Sequence, residues 1–304
     1  MAAKTALPIV FGTMTIGNAG VEGVRISDLP TTNTMLDMFQ SHGHSEIDNA
    51  RLYGAGSSEK YFASANWSSR GLVMNTKLPP KYQCSTCTGP NHATPLEDTL
   101  REVNKLHPEG CFDRLGVSNY MSREVAAICE ICGRNGWVTP AVYQGTYNAL
   151  HRAIEPGLIP CLRHYGMALY AFQPWAGGFL TSRYRRDMRD EDYEKGSRFD
   201  PTRWQGRMHH GRYINDMCFD ALDVMGPVMQ KFGLTQVECA LRWLLHHSEM
   251  SKENGDKMII GASSPEQLEG NLRDLEKGEL PGEVVEAMDA AWARVKGVVP
   301  RCFH

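Results

Sequence analysis

Ser45-Glu-Ile-Asp-Asn-Ala-Arg-Leu-Tyr53 and Leu72-Val-Met-Asn-Thr-Lys77 decide how this chain is read. Each begins as a short apolar run and ends in polar residues. Runs of that length bounded by turn residues read as β-strands, here Ser45–Ala50 and Leu72–Lys77. Working outward, five more such runs appear: Pro8–Met14, Phe112–Asn119, Ala141–Gly145, Met167–Gln173 and Lys257–Gly261. Helical patterns lie between them. Thr31–Ser41 stops before Gly43. Thr94-Pro-Leu-Glu97 reads as a capping box opening a helix over Pro95–Leu106. Thr235-Gln-Val-Glu238 opens one through His247, and Ser264-Pro-Glu-Gln267 another to about Glu276. Glu283–Val295 is the last.

Strands alternating with helices predict an α/β fold with a parallel sheet. A chain of 304 residues suits a barrel of ~250 residues plus insertions. The expectation is one TIM-type (β/α)8 barrel domain over residues 1–304, with a qualification. Only seven strand runs are present. Between Lys77 and Phe112 lie 34 residues, while a βα unit takes about 31. A missing strand with its helix, plus the helix already counted, needs roughly twice that room. One βα unit is therefore expected to be missing or remodelled near Tyr82–Thr88.

Composition narrows the function. The chain is 42% hydrophobic and 22% charged with a net charge of −3, which gives no electrostatic case for nucleic acid or an anionic membrane. No apolar run approaches the ~20 residues of a membrane helix. The N-terminus lacks a secretory h-region, so the nine cysteines are expected as reduced thiols of a cytoplasmic protein. Cys84/Cys87 and Cys129/Cys132 are C-x-x-C pairs too far apart for the usual zinc spacing. The second pair falls on an apolar helix face, which suits buried thiols. The neighbouring pairs His209-His210 and His246-His247 diverge on a helix or strand, so no metal site is predicted.

Asp48, Tyr53 and Lys77 stand at or just beyond the C-terminal ends of consecutive strands, the active face of a barrel. A phenol of pKa ~10 is a poor acid. An ammonium beside it lowers that value, and a carboxylate fixes the ammonium. Such a trio can protonate a carbonyl oxygen. Trp175, Trp204 and Tyr213 follow late strands and are candidates for an aromatic substrate wall. Thr181–Tyr213 is long, polar and Arg-rich without clear periodicity, as expected of a functional loop over that face. Its Arg185 and Arg186 alternate with acids, as in a solvated loop.

Several further stretches point the same way. Phe11-Gly-Thr-Met14, Ile47-Asp-Asn-Ala-Arg-Leu-Tyr-Gly-Ala-Gly-Ser-Ser-Glu59, Leu115-Gly-Val-Ser-Asn-Tyr120, Val142-Tyr-Gln-Gly145, Tyr170-Ala-Phe-Gln-Pro-Trp-Ala-Gly-Gly178 and Gly261-Ala-Ser-Ser-Pro-Glu-Gln-Leu-Glu-Gly-Asn271 resemble the aldo-keto reductases, in the family's order and over nearly the whole chain. Thr146-Tyr-Asn-Ala149, Pro160-Cys-Leu-Arg-His164 and Leu241-Arg-Trp-Leu-Leu-His-His247 resemble its aflatoxin-aldehyde-reductase branch. The resemblance implies an NADPH-dependent barrel that reduces aldehydes and ketones. Separately, a missing strand would widen the mouth for a bulky, polyketide-like small-molecule substrate, which suits natural-product metabolism. Tyr53 would donate the proton, tuned by Asp48 and Lys77, with Trp175 beside the substrate. Ser118, Asn119 and Gln144 would hold the nicotinamide carboxamide. Gln173, Pro174, Gly177, Gly178, Leu180 and Arg183 would follow the ribose and pyrophosphate, with Met14 and Arg198 also on the cofactor. Ser263, Gln267 and Asn271 would hold the adenosine 2′-phosphate, at a helix start that favours an anion. Members of that branch are often dimers, so the resemblance allows a homodimer.

The chain departs from the family at one place. A catalytic histidine is expected in the stretch matching Cys87-Thr-Gly-Pro-Asn-His-Ala-Thr-Pro95, but Thr88 holds its position, and the strand and helix before it are absent. Roughly two dozen residues are gone, about one βα unit. His92 lies nearby. Asn49 and Gln173 also differ from the branch. Three readings stay open: a reductase with weakened carbonyl polarisation, a non-redox acid–base enzyme (cyclase, dehydratase or isomerase), and a cofactor-binding protein without catalysis.

Overall fold

The computed structural model describes residues 3–77 and 94–299. The Gln83–Thr88 stretch, Cys84, Cys87 and His92 lie outside them. Seven strands form: β1 Ile9–Gly12, β2 Glu46–Asp48, β3 Val73–Asn75, β4 Gly116–Ser118, β5 Val142–Thr146, β6 Ala168–Phe172 and β7 Lys257–Ile260. Each falls on one of the seven predicted runs, most of them shortened, while β5 is shifted one residue on to end at Thr146. Their order is β3-β2-β1-β7-β6-β5-β4, and every pair is parallel.

The sheet is curled. β2 and β5 stand four strand spacings apart in that order, about 19 Å on a flat sheet. Yet the side chain of Gln144 on β5 reaches Asp48 on β2 at 2.8 Å. Only a sheet rolled toward closure brings those faces together. β3 and β4 end the described sheet, side by side in sequence but unpaired. This is a (β/α)8 barrel with one unit missing. Parallel strands place all their C-terminal ends on one rim, where Asp48, Ser118 and Phe172 are the final strand residues.

Ten helices are seen among the described residues: α1 Leu29–Ser41, α2 Ser57–Ser64, α3 Leu96–Leu106, α4 Ser122–Asn135, α5 Leu158–His164, α6 Trp204–Tyr213, α7 Asp216–Lys231, α8 Gln236–His246, α9 Pro265–Leu275 and α10 Gly282–Val295. Several starts follow predicted caps. Thr235 accepts from the Glu238 amide at 3.1 Å, and Ser264 from the Gln267 amide at 3.2 Å. Two predicted starts are corrected. α1 begins at Leu29 because the Asp28 carboxylate accepts from the Thr31 amide at 2.7 Å and Pro30 fits the first turn. α3 begins at Leu96, one residue later than predicted, with Pro95 in the capping position.

The Thr181–Tyr213 excursion is corrected too, since its last third is helix α6. α6 lands where Gly206 passes under the loop: a Cβ there would sit 1.7 Å from the Asp200 carbonyl oxygen. Cys129 and Cys132 are buried on α4, and the six described cysteines are free thiols. Burial pushes the Cys129 thiol up to about 12 and Cys132 to about 11, the inert kind. No described helix is long and apolar enough to cross a membrane.

Gly206→Ala is expected to cost at least the ~1–3 kcal/mol of an overpacked core. The measurement is thermal melting with limited proteolysis: a lower Tm and faster cutting within 182–203 are predicted, with cutting elsewhere unchanged.

Candidate active site

The rim at the strand ends encloses a cavity of about 720 Å³. At its floor Asp48 and Lys77 are nearly sealed, 2% and 5% exposed. Lys77 Nζ donates to both Asp48 oxygens at 2.6 Å each, to the Asn49 carbonyl at 3.0 Å and to the Tyr53 hydroxyl at 3.2 Å. Gln144 donates to Asp48 Oδ1 from the far wall. The Tyr53 hydroxyl lies 3.4 Å from Asp48 Oδ2, beyond the 2.5–3.0 Å of an ordinary O–H···O bond. Asp48 therefore does not tie up its proton.

Burial drives the protonation states. It pushes the Tyr53 pKa up, and Asp48 adds to that; Lys77 and Arg198 pull it down without reversing it. The lowering by Lys77 expected from the sequence is present but outweighed by burial. At neutral pH Tyr53 is a phenol with its proton in place, the form a proton donor needs. Burial pulls the Lys77 pKa down, but Asp48 and Tyr53 outweigh it and the net shift is upward.

The cavity wall brings together thirteen of the fourteen predicted cofactor residues: Met14, Ser118, Asn119, Gln144, Gln173, Pro174, Gly177, Gly178, Arg183, Arg198, Ser263, Gln267 and Asn271. Leu180 is not on it; its side chain is packed in the core. Trp175 lines the cavity, whereas the other two aromatic candidates do not. Trp204 is 67% exposed and Tyr213 is 1% exposed within the core, because α6 turns one outward and the other inward. His210 and His246 bond to the Phe199 and Lys277 carbonyls. No group of three or more His, Cys, Asp or Glu among the described residues could hold a metal.

The wall also contains groups that the sequence reading passed over. Phe172 ends β6 beside Gln173, and His209 comes from α6. His209 packs so closely on Gly177 that a Cβ there would lie 2.6 Å from the imidazole; with φ at +73°, position 177 admits only glycine. Glu194 bridges Arg25 and Arg183 at 3.4 and 3.6 Å, tying the loop after β1 to the excursion after β6. Arg198 has no carboxylate partner among the described residues, and its guanidinium lies 4.0 Å from Met14 Sδ.

A family model described as the Aldo/keto reductase family matches residues 81–293. This chain belongs to that family. It is 45% identical over 336 positions to aldo-keto reductase pigE of Monascus ruber, covering 99% of this chain and 98% of that protein. It is 37% identical to aflatoxin B1 aldehyde reductase member 2 of Mus musculus, covering 97% and 87%. Among solved structures, the glycerol dehydrogenase AKR11B4 from Gluconobacter oxydans superposes with a TM-score of 0.69 at 20% identity over 97% of this chain and 93% of that one, a likeness of fold. The chain is thus an oxidoreductase acting on aldehydes or ketones, in a family that generally uses NAD(P)H. The alignment with pigE spans 336 positions against 304 residues here, so at least 32 positions of it have no counterpart in this chain. That is about one βα unit, in keeping with seven strands among the described residues.

Two predictions arise here. Lys77→Met leaves the Asp48 carboxylate buried without its counter-ion, an expected cost of about 3–5 kcal/mol read as a lower midpoint in urea unfolding. Burial lowers the His44 pKa to about 4 and the His209 pKa to about 3. In the unfolded chain both take up protons below about pH 6.5, while the native protein refuses them. The unfolded state therefore binds more protons in that window. Stability is expected to fall as pH drops from 6.5 toward 4, with a shallower slope in His209→Asn.

Proposed function

We propose that this chain is an NADPH-dependent reductase in which Tyr53 delivers the proton to the carbonyl oxygen. One observation carries the reading: a single buried ammonium, Lys77, holds Asp48 and Tyr53 together at the base of a cavity large enough for a dinucleotide and a small substrate. The residues present fit the cofactor. Gly177 and Gly178 form a left-handed turn at the wall, with φ of +73° and +115°. The buried Gln173 Oε1 and Asn271 Nδ2 have no partner among the described residues. Arg198 offers a positive charge that nothing in the described protein neutralises.

When bound, the cofactor supplies the hydride. Ser118, Asn119 and Gln144 face the nicotinamide carboxamide. Gln144 gives its amide N–H to Asp48, which leaves its Oε1 as the acceptor toward the cavity. Met14, Gln173, Pro174, Gly177, Gly178, Arg183 and Arg198 follow the ribose and pyrophosphate. Ser263, just before α9, and Gln267 and Asn271, on its first two turns, take the 2′-phosphate end, where the helix dipole favours an anion. Tyr53 keeps its proton until the carbonyl oxygen gains charge, then releases it, and Lys77 stabilises the phenolate left behind.

The substrate meets Tyr53, Trp175 and the exposed Leu52 at the rim. Some relatives are named for aflatoxin B1 aldehyde, and a bulky polyketide-like carbonyl of natural-product metabolism is the substrate this reading favours. With Thr88 where the family carries histidine, carbonyl polarisation falls to fewer donors. Loss of one such donor commonly costs ~10²–10³ in rate.

NADPH absorbance at 340 nm, followed with an aromatic aldehyde, tests the reading. Consumption is expected, with kcat reduced at least ~10²-fold in Tyr53→Phe and little change in NADPH affinity. Product formation that needs Tyr53 but leaves NADPH intact would favour non-redox acid–base chemistry instead.

A further inference from the structure

The Thr146-Tyr-Asn-Ala149 motif has no part in the chemistry above, yet it contains Asn148, a polar side chain with no exposure to solvent. Asn148 sits in a tight turn after β5, where its main chain pairs with His151. Its Oδ1 accepts from the Leu150 amide at 3.0 Å, which turns Nδ2 the other way. Nδ2 donates to the Gln173 carbonyl oxygen at 3.0 Å. The same carbonyl accepts from the Ala176 amide at 2.9 Å.

Gln173 is the residue that needs holding. Its φ is +60°, a left-handed conformation that costs a non-glycine residue of order 1 kcal/mol or more. Such strain persists only where neighbours over-determine it. Two donors converging on one carbonyl do that. The outcome is visible at the other end of the residue: Gln173 lines the cavity, and its Oε1 is buried without a partner among the described residues. A buried acceptor left open costs free energy unless a ligand fills it.

We propose that Asn148 is a positioning residue, which locks the Gln173 main chain so that the Gln173 carboxamide presents an acceptor to a hydroxyl or amide donor of the bound dinucleotide. This rests on the cofactor reading above. Asn148 touches neither cofactor nor substrate and acts through Gln173 alone.

A double-mutant cycle read by NADPH fluorescence titration tests it. Asn148→Ala is expected to raise the NADPH Kd by about 10-fold, as for a lost buried hydrogen bond. Glycine adopts φ +60° freely and has no side chain to aim. In a Gln173→Gly background Asn148→Ala should therefore change Kd by less than about 2-fold. Equal Kd changes in both backgrounds would overturn the proposal, because a merely structural role acts regardless of residue 173. A crystal structure of cofactor-free Asn148→Ala gives the second arm. Gln173 should leave the left-handed region; if it stays there, the proposal fails. Absence of NADPH binding to the wild-type protein would sink the cofactor reading instead, and the cofactor-free structure still decides the role of Asn148.

Discussion

A lysine ammonium and a carboxylate, both nearly sealed from water, meet at 2.6 Å at the base of this barrel. Neither could be buried alone, since a desolvated unpaired charge costs several kcal/mol. Together they fix the end of β2 against the segment after β3 and set a directed positive charge beside Tyr53. The Asn49 carbonyl and the Gln144 amide satisfy what remains of their hydrogen-bonding capacity. Gln144 comes from the opposite side of the curled sheet, so the same carboxylate that anchors Lys77 also ties the two halves of the rim together.

Function follows from how that pair treats the phenol. Burial raises the Tyr53 pKa and the ammonium opposes it without winning, so the phenol stays protonated and near a cation able to stabilise its conjugate base. Its contact with Asp48 is too long to trap the proton. Around this acid the wall changes character: neutral amides near Asp48, left-handed glycines after β6, Arg198 without a carboxylate partner among the described residues, and the start of α9. That gradient from proton donor to anion-favouring pole matches a carbonyl and a phosphorylated dinucleotide sharing one cavity.

Much of this was legible in the sequence, for local reasons. Short apolar runs between Gly- and Pro-bounded helices specified all seven strands, and counting them exposed the missing unit before any geometry was known. Thr235 and Ser264 announced their helices because an N-cap bond spans only three residues. What sequence concealed was long-range. Trp204 and Tyr213 looked alike in a polar stretch, and only the docking of α6 through Gly206 turned one outward and one inward. His209 gave no sign of packing on Gly177, which lies 32 residues earlier. Leu180 shares a stretch with cavity residues but faces the core, because the left-handed turns before it change its direction. The weight of burial on Tyr53 was invisible, since a neighbouring charge can be guessed from spacing and desolvation cannot.

The central claim is that the Asp48–Lys77 pair sits beside a Tyr53 that keeps its proton. An ultraviolet difference titration of phenolate absorbance, comparing the wild-type protein with Tyr53→Phe, measures this directly. The account predicts that the Tyr53 signal appears only above pH 10, the ordinary value for a phenol. A midpoint well below it, near pH 8, would mean that Lys77 overrides burial and would contradict the account.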